Sequence, residues 1–369
     1  MSRSESASLQ RVPHAGMWLD DYSLTPVVGG VLLAGGGEWH RDGIGAMRRV
    51  VPLALLWDSA KQDWLELSPL PHPRDGHAAV SLPDGRVLLI GGRDTTSPEL
   101  ASTLFWEPET RRFREGPPLR QARARPIAVG LPDGAVLVLG SDFDNDRERG
   151  TRAELLRPGA SAWEPAGQAV RIFHPGPVCV SGERVIIAGG RDNGFGFAII
   201  EGVHLAPPLD MSTELWEREG RTWRIAGGPL TQSRDEAQGV TLSDGRVLVV
   251  GGWHEGSPLA TAEVWDPRTE SWSPTGSLAT PRSSFALTAL PDGRAAVSGG
   301  LEETFQATDS VEIWDPARGT WSPGPSLARG RAGHRFAAVG TGVFLVVGGS
   351  KSPADGNPET SSEVWRSGS

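Results

Sequence analysis

VLVVGG, residues 247–252, is one of seven related runs in which apolar residues end in a glycine pair or a close variant. The other runs are VLLAGG (31–36), VLLIGG (87–92), VLVLGS (136–141), VIIAGG (185–190), AAVSGG (295–300) and FLVVGG (344–349). Their starts lie about fifty residues apart, and self-similarity at such a period is typical of propellers and solenoids. The repeat predicts the architecture, whereas function has to be sought in residues that depart from it.

Two aromatic residues seven positions apart follow most of these runs. The pairs are Trp57 and Trp64, Trp106 and Phe113, Trp216 and Trp223, Trp265 and Trp272, and Trp314 and Trp321, with Leu156 and Trp163 as a degraded pair and Trp365 alone in the last copy. Turn formers such as Asp266-Pro267 separate the aromatics, and turns such as Asp84-Gly85 precede the runs. These residues suit tight hairpins. Each period therefore predicts four strands: a, then b ending in the glycines, then c and d with one ring each.

With these features the chain resembles the kelch repeat family, including the galactose oxidase type of propeller, although Trp stands where the family more often has Tyr. The resemblance extends over nearly all 369 residues. It implies an all-β protein, a β-propeller of four-stranded antiparallel blades around a central axis.

Seven runs predict a single domain, residues 1–369, with seven blades. The approximate blades are 13–71, 72–120, 121–171, 172–230, 231–279, 280–328 and 329–366 together with 5–12. The last blade lacks a strand d after Trp365, and the segment ASLQRVP (7–13) stands where a strand d would precede the first blade. We expect this N-terminal segment to pair with the C-terminal blade and close the ring, which also removes an exposed sheet edge.

Composition limits the partners. The net charge of −9 and the isoelectric point near 5.5 argue against nucleic-acid or membrane binding through bulk charge. The N-terminus has no apolar signal region, and no apolar stretch is long enough to span a membrane. Cys179, the single cysteine, cannot form an intramolecular disulfide. We expect a cytoplasmic monomer with no metal and no cofactor.

Loop length points to one end of the propeller as the functional rim. The b–c and d–a connections emerge together at one end, called here the b–c rim, and the short a–b and c–d hairpins emerge at the other. The b–c segments are longest between Gly36 and Trp57 and between Gly190 and Trp216. The second insertion, 191–211, is rich in apolar residues and is predicted either to form a lid or partner-docking element or to pack on its own blade.

Histidines and tryptophans on this rim are candidates for ligand contact. Trp39-His40 and Trp253-His254 form a repeated pair after strand b, and Trp18 is a third tryptophan outside the strand c and d motif. Aromatic faces there would suit stacking on a ligand. His77 and His334 match a recurring Arg-x-x-His feature of the family and are predicted to be structural.

Arginines recur with the period of the repeat. Arg74, Arg123, Arg234, Arg282 and Arg331 each precede the apolar run of their blade by thirteen residues, and Trp18 and Ile172 occupy that position in the other two blades. A ring of arginines could bind carboxylate or phosphate through bidentate hydrogen bonds. The alternative is that each arginine bonds the backbone or carboxylates of a neighbouring blade.

Acidic residues and one further arginine complete the candidate set. Asp142 and Asp144 lie in a segment with alternating oxygen ligands, but the glycine and the glutamate of a calcium loop are missing. Arg191 and Asp192 follow the fourth run. His40 or His254, paired with Glu38, Glu255 or Asp94, could act as acid and base on a bound ligand. Unchanged turnover after alanine replacement of His40 and His254 would refute that role.

The catalytic groups of enzymes with related folds can be compared with the residues of this chain. Resemblance to galactose oxidase would imply a copper site with two tyrosines, one cross-linked to a cysteine, but Tyr22 is the sole tyrosine. The iron motif of nitrile-specifier proteins is absent, whereas a sialate mutarotase needs only polar acid–base groups. The sequence therefore predicts a binding protein that recognises a protein segment or a small anionic or polar ligand on the b–c rim. The alternative is a metal-independent mutarotase, isomerase or cyclase using His and carboxylates.

Overall fold

The computed structural model describes residues 9–13, 19–42, 45–140, 152–169, 174–191, 198–200, 203–205, 209–351 and 361–367. For 39–42, 45–47, 174–175, 191, 198–200, 203–205 and 209 only the backbone is described. In this part of the chain, no helix has the length and apolarity needed to span a membrane. Regular structure consists of antiparallel β-strands.

The first half of the chain builds three sheets. Two short strands come first, β1 (Gln10–Arg11) and β2 (Leu19–Asp20). Sheet 1 consists of β3 (Ser23–Val27), β4 (Gly30–Ala34), β7 (Ala54–Asp58) and β8 (Asp63–Glu66), with the hairpin of β5 (Gly37–Asp42) and β6 (Gly45–Val50) inserted after β4. Sheet 2 consists of β9 (Ala78–Ser81), β10 (Val87–Ile90), β11 (Thr103–Glu107) and β12 (Arg112–Glu115). Sheet 3 consists of β13 (Ile127–Gly130), β14 (Val136–Leu139), β15 (Arg152–Leu156) and β16 (Glu164–Gln168).

The second half builds four more sheets. Sheet 4 consists of β17 (His174–Pro175), β18 (Val178–Ser181), β19 (Arg184–Arg191), β22 (Leu209–Glu217) and β23 (Thr222–Ile225), and β20 (Ala198–Ile200) pairs with β21 (Val203–Leu205) beside it in sequence. Sheet 5 consists of β24 (Gln238–Thr241), β25 (Val247–Val250), β28 (Ala262–Asp266) and β29 (Ser271–Thr275), with the short hairpin of β26 (Trp253–His254) and β27 (Ser257–Pro258). Sheet 6 consists of β30 (Ala286–Ala289), β31 (Ala295–Ser298), β32 (Val311–Asp315) and β33 (Thr320–Pro323). Sheet 7 consists of β34 (Arg335–Gly340), β35 (Val343–Val347), β36 (Ser361–Arg366) and the N-terminal β1.

The repeated sequence features occupy the same place in each sheet. Strand b is buried at every residue in β4, β10, β14, β25 and β31. Continuous burial is expected of a strand covered on both faces, and it explains why these runs are uniformly apolar instead of alternating. The paired aromatics lie directly across strands c and d, as in Trp265 with Trp272 and Trp314 with Trp321. The predicted hairpin is confirmed at these positions.

Apolar packing joins each sheet to the next. The described core divides into seven clusters, of which six contain residues of two sheets that are consecutive along the chain. The seventh joins sheet 7 to sheet 1 through Leu345 and Val347, packed with Val31 and Leu33. Strand a of each sheet also contacts strand a of the next, including β34 with β3. The sheets thus form a continuous series in which each face covers its neighbour.

The N-terminal segment lies at the outer edge of sheet 7. Gln10 pairs with Ser362 and Arg11 with Ser361. Val12 is 2% exposed and belongs to the cluster between sheets 7 and 1. In addition, the Trp64 indole donates to Ser362 Oγ at 3.1 Å. The two ends of the chain are therefore held together by backbone pairing and by packing against sheet 1.

Candidate functional site

The five periodic arginines are buried and bonded within their own sheets. Their exposure is 0 to 1%. Each donates at 2.8–3.1 Å to the carbonyl of the next-to-last residue of the b run, which is Gly91, Gly140, Gly251, Gly299 or Gly348. Each also donates to a carbonyl at the start of strand c, that of Ser102, Arg152, Thr261, Ser310 or Ser361. These guanidinium groups tie the d–a loop to strands b and c and do not face the surface.

Four of the five arginines have a buried carboxylate partner. The pairs are Arg123 with Glu154 at 3.2 Å, Arg234 with Glu263 at 2.9 Å, Arg282 with Glu312 at 2.7 Å and Arg331 with Glu363 at 2.9 Å. Burial lowers the pKa of Arg282, and Glu312 partly offsets this. Arg74 has Leu104 where the other sheets have the glutamate, and burial lowers its pKa to about 10. These carboxylate partners lie in the same sheet as the arginine that they bind. The prediction of bonds to a neighbouring blade was therefore wrong.

Sheet 1 departs from the predicted alignment by one residue. The Asp20 carbonyl lies beside Gly36 in the same way that the Asp75 carbonyl lies beside Gly92. Leu19, rather than Trp18, therefore occupies the position of Arg74. The cause is a shorter a–b turn, because Val31 pairs with Pro26 whereas Val87 pairs with Ser81, one residue further back. Trp18 itself lies outside the described residues.

Two predicted structural histidines are buried and neutral. His77 Nε2 lies 2.8 Å from Ser23 Oγ, and His334 Nε2 lies 2.9 Å from Ser298 Oγ. Burial first, and then the neighbouring arginines Arg74 and Arg331, lower the pKa of both imidazoles to about 3. Neither ring can serve as an acid or base at neutral pH, and both bond to the sheet that packs beside them.

An ionic cluster lies on the b–c rim of sheets 1 to 3. Its members are Asp20, Asp21, Asp75, Arg48, Arg93 and Arg125. Arg48 comes from the inserted strand β6 and donates to Asp20 at 2.8 Å, to Asp21 at 3.1 Å and to Asp75. Arg93 donates to Asp75 at 2.6 Å, and Arg125 donates to Asp21 at 2.7 Å. Burial alone would lower the pKa of Arg48, but the hydrogen bonds to Asp20 and Asp75 raise it.

Sequence reasoning missed this ionic cluster. Two signals were available: Asp75 follows the periodic Arg74, and Arg48 lies in the long b–c segment of the first blade. The three aspartates and three arginines neutralise one another. Arg48 fixes the inserted hairpin β5–β6 onto the loops of sheets 1 and 2, and Arg125 ties the loop of sheet 3 to Asp21, so the cluster shapes the rim.

A second group of residues on the same rim forms an aromatic–acidic patch, defined here as Trp253, His254, Glu255, Phe305, Asp235 and Glu236. The Trp253 and Phe305 rings stack with centroids 5.7 Å apart and an interplanar angle of 25°. Phe305 is 52% exposed, which is unusual for so large an apolar side chain. Asp235 and Trp253 exchange backbone hydrogen bonds at 2.9 and 2.7 Å, which brings the loop of Asp235 and Glu236 beside Trp253.

The histidine of this patch is held but partly open. His254 Nδ1 lies 2.9 Å from Ser233 Oγ, and its Nε2 lies 3.9 Å from the Glu255 carboxylate. The side chains of His254 and Glu255 are 30% and 85% exposed. Glu302 and Glu303 precede Phe305 on the next loop and add to the negative charge. The patch thus combines two stacked rings with three carboxylates, and Glu302 and Glu303 beside it bring the number of acidic residues here to five.

Left-handed backbone marks the inner loops of the rim. Asp21, Arg125, Glu236 and Ser284 have φ of 46 to 52°, and Gly76 and Gly333 occupy the equivalent positions in sheets 2 and 7. Neighbouring loops bond each other here: Gly76 N donates to the Asp21 carbonyl at 2.8 Å and Gly333 N to the Ser284 carbonyl at 2.7 Å. Non-glycine residues in this region are strained and concentrate at functional sites. Their side chains belong to, or border, the ionic cluster and the patch.

The remaining sequence candidates fall into two groups. The Asp94 carboxylate accepts from Thr96 N at 2.7 Å and Ser97 N at 2.6 Å. Burial would raise the pKa of Asp94, but these hydrogen bonds lower it, and the group caps its own loop. The other group cannot be placed: Asp142, Asp144 and Asp192 lie outside the described residues, as do the side chains of Trp39, His40 and Arg191.

Comparison with known proteins agrees with the repeat. A family profile described as Kelch motif matches residues 238–279, which cover sheet 5. Kelch-like protein 33 of Homo sapiens is 30% identical over 142 residues, which are 38% of this chain and 24% of that protein. The match thus spans about a quarter of that relative. Residue spacing, sheets and profile together support a kelch-type propeller.

Among solved structures, a novel fungal alcohol oxidase of the AA5 family, in complex with copper, superposes with a TM-score of 0.72. The identity is 15%, and the match covers 98% of this chain and 77% of that chain. At this identity the likeness shows the fold alone.

The residues of this chain do not fit the copper site that resemblance to galactose oxidase would imply. Tyr22 is buried and donates to the Val347 carbonyl at 2.9 Å, and burial raises its pKa to about 12. Cys179 lies in a different apolar cluster, and burial raises the pKa of its thiol to about 12. Within the described ranges, no group of three or more His, Cys, Asp or Glu side chains is arranged to hold a metal ion.

Proposed function

We propose that this kelch-type propeller is a protein-binding module whose ligand is a basic segment with apolar side chains, held on the aromatic–acidic patch. The kelch motif suggests protein binding in general terms. The observation that carries the specific proposal is the stack of the exposed Phe305 on the half-buried Trp253, with acidic residues in the adjoining loops. Exposed aromatic side chains are enriched at protein interfaces, and the surrounding charge sets the sign of the partner.

The proposal includes the architecture that presents the patch. We infer seven blades, one for each sheet, and a ring closed by β1. The apolar cluster between sheets 7 and 1 and the pairing of β1 with β36 support this inference. In such a ring the b–c and d–a loops of all sheets converge on one rim, so that the patch and the ionic cluster share one surface.

The charge proposed for the ligand follows from which charged side chains lie at the surface of the rim. A small anionic ligand was one of the predicted ligands because of the periodic arginines, but these arginines are buried and bonded internally. On the rim, Arg48 and Arg93 are paired with aspartates. The patch instead presents Glu236, Glu255 and Glu303 at the surface. A lysine or arginine side chain would find carboxylates there, and its aliphatic stem or an adjacent apolar residue would pack on Phe305.

The geometry favours binding over acid–base catalysis. Of the four catalytic candidates, Asp94 caps its own loop, and the side chain of His40 is not among those that the structure describes. His254 and Glu255 remain, but Glu255 is 85% exposed and 3.9 Å from the imidazole. A water-exposed pair of this kind lacks the enclosed surroundings that usually tune catalytic groups. The enzyme alternative therefore has no enclosed pair among the described residues.

Fluorescence anisotropy with two labelled decapeptides tests the proposal. Both carry the same leucines, and one has four lysines where the other has four glutamates. We expect the lysine peptide to bind and to weaken with salt, because the attraction is screened. The double variant Trp253→Ala/Phe305→Ala and the single variant Glu236→Gln should each lower affinity at least fivefold.

Val28→Ala serves as the matched control, because Val28 is an apolar residue 90% exposed on the a–b turn of sheet 1, away from the patch. This variant should bind like the unmodified protein. Circular dichroism melting verifies that all variants are folded. Equal binding of the glutamate peptide, or unchanged affinity in the double variant, would overturn the proposed function.

A further inference from the structure

One sheet lacks the tryptophan that the others place between neighbouring sheets. The first residue of the repeated apolar run pairs with Trp57, Trp106, Trp216, Trp265, Trp314 or Trp365 in six sheets. In sheet 3 the equivalent residue, paired with Val136, is Leu156. The six tryptophans are 0 to 4% exposed, so the position is normally filled by a buried indole.

The indole at this position packs against the preceding sheet. Trp216 of sheet 4 belongs to the same cluster as Leu137 and Leu155 of sheet 3, and it donates to the Ala166 carbonyl at 3.0 Å. By the same rule, a tryptophan at position 156 would fill the space between sheets 3 and 2. Leu156 packs there with Leu88 and Phe105 of sheet 2, but it is shorter and has no ring.

A cleft lies between sheets 2 and 3 beside Leu156. It has a volume of about 550 Å³ and opens on the rim of the a–b and c–d hairpins, opposite the proposed protein-binding surface. Its apolar walls include Leu82, Phe105, Val136 and Leu156. A volume of this size is within the range of small-molecule sites, roughly 300–1,000 Å³.

Arginines border the apolar walls. The Phe105 ring has the Arg86 guanidinium 4.6 Å and the Arg114 guanidinium 4.5 Å from its centroid. Arg157 lies on the sheet 3 side. The side chains of Arg114 and Arg157 are 51% and 53% exposed, so each keeps donors at the surface in addition to its pairing with Glu107 or Glu164. Planar guanidinium groups bind carboxylates bidentately and stack on aromatic rings.

We propose that this cleft binds a small planar aromatic carboxylate. The ring of the ligand occupies the space left by the missing indole, against Leu156 and Val136. The carboxylate meets Arg114 and Arg157 at the mouth. The proposal is independent of the protein-binding patch, since none of the lining residues belongs to it.

Isothermal titration calorimetry with indole-3-acetate tests the proposal. We expect saturable binding to the unmodified protein and at least threefold weaker binding of the neutral indole-3-acetamide. Leu156→Trp restores the repeat and fills the cleft, so it should lower affinity for indole-3-acetate at least tenfold while keeping or raising the melting temperature. Trp253→Ala, on the opposite rim, should bind indole-3-acetate unchanged.

A second variant keeps the proposal testable if the Leu156→Trp protein does not fold. Arg114→Gln/Arg157→Gln changes two exposed side chains and should reduce the preference for the acid over the amide to less than twofold. No saturable binding at millimolar indole-3-acetate would overturn the proposal. So would affinity that is unchanged both in Leu156→Trp and in the double arginine variant.

Discussion

The periodic arginines of this propeller are structural groups, although their regular spacing is also what a ring of ligand-binding residues would show. The same guanidinium that suggested anion binding satisfies carbonyl groups at the end of strand b and at the start of strand c. Buried carbonyls need such partners, because an unsatisfied buried acceptor costs about 1–3 kcal/mol. A glutamate two residues before the strand c aromatic then balances the charge, as Glu312 does for Arg282. Sequence periodicity alone cannot distinguish a ring of ligand groups from a ring of internal bonds.

Arg282→Met and Arg74→Met form a matched pair that separates charge from hydrogen bonding. Removing Arg282 leaves Glu312 buried without its guanidinium, and breaking a buried pair costs about 3–5 kcal/mol. Among the described residues Arg74 has no carboxylate in hydrogen-bond contact, so its loss should cost about 1–3 kcal/mol for the carbonyls left unsatisfied. The urea midpoint of unfolding should therefore fall further for Arg282→Met.

Arg268→Met is the surface control, because its pair with Asp266 is exposed and should leave the midpoint unchanged. Equal midpoints for the Arg282 and Arg74 variants would show that the glutamates contribute little. A neutral Arg282→Met would refute the assigned role altogether.

At the level of elements, the sequence predicted the strands well and the rim poorly. Glycine pairs, turns and aromatic spacing are local signals, and Trp265 does face Trp272 across strands c and d. The ionic cluster was missed because its members come from three sheets; Arg125 and Asp21 are 104 positions apart. The one-residue shift from Trp18 to Leu19 was missed because it depends on the length of the turn between β3 and β4. Both features depend on how loops and strands pair in space, and the aligned repeat by itself does not show that pairing.

The backbone of the inner d–a loops is strained, and we attribute this strain to the side chains that these loops present on the rim. Glycine would adopt this backbone at little cost, yet Asp21, Arg125, Glu236 and Ser284 occupy four of the equivalent positions. A non-glycine residue in the left-handed region costs about 1–2 kcal/mol. Strain of that size persists when the side chain contributes something glycine cannot, which here is the charge and polarity of the rim.

Gly333→Ala and Ser284→Gly test the strain directly. Gly333 has φ of 67° and no atom within 4 Å of an added Cβ, so the alanine variant changes backbone preference alone and should lose about 1 kcal/mol. Ser284→Gly should gain up to about 1 kcal/mol, because φ of 50° is then unstrained. Urea unfolding measures both. The two substitutions should change the free energy of unfolding in opposite directions, and a destabilised Ser284→Gly would contradict the explanation.

At the scale of the whole molecule, each sheet is stabilised by its neighbours more than by itself. Strand b is buried on both faces only because another sheet covers each face, and the apolar clusters all lie between sheets. One interface therefore differs from the rest, since it joins the two ends of the chain. Sheets 7 and 1 meet through Val31 and Val347, and β1 supplies the outer strand of sheet 7.

Removal of residues 1–12 tests whether β1 closes a ring. The deletion takes away the pairing of Gln10 and Arg11 with β36 and the buried Val12, and it exposes a strand edge on which other chains can pair. We expect a lower melting temperature and concentration-dependent aggregation in light scattering. A synthetic peptide of residues 5–13 added in excess should bind that edge and restore the melting temperature, because strand addition reproduces the native hydrogen bonds. A scrambled peptide of the same composition should not. If the shortened protein melts like the full chain and stays dispersed, sheets 7 and 1 are held by their apolar contacts alone, and β1 is no closing strand.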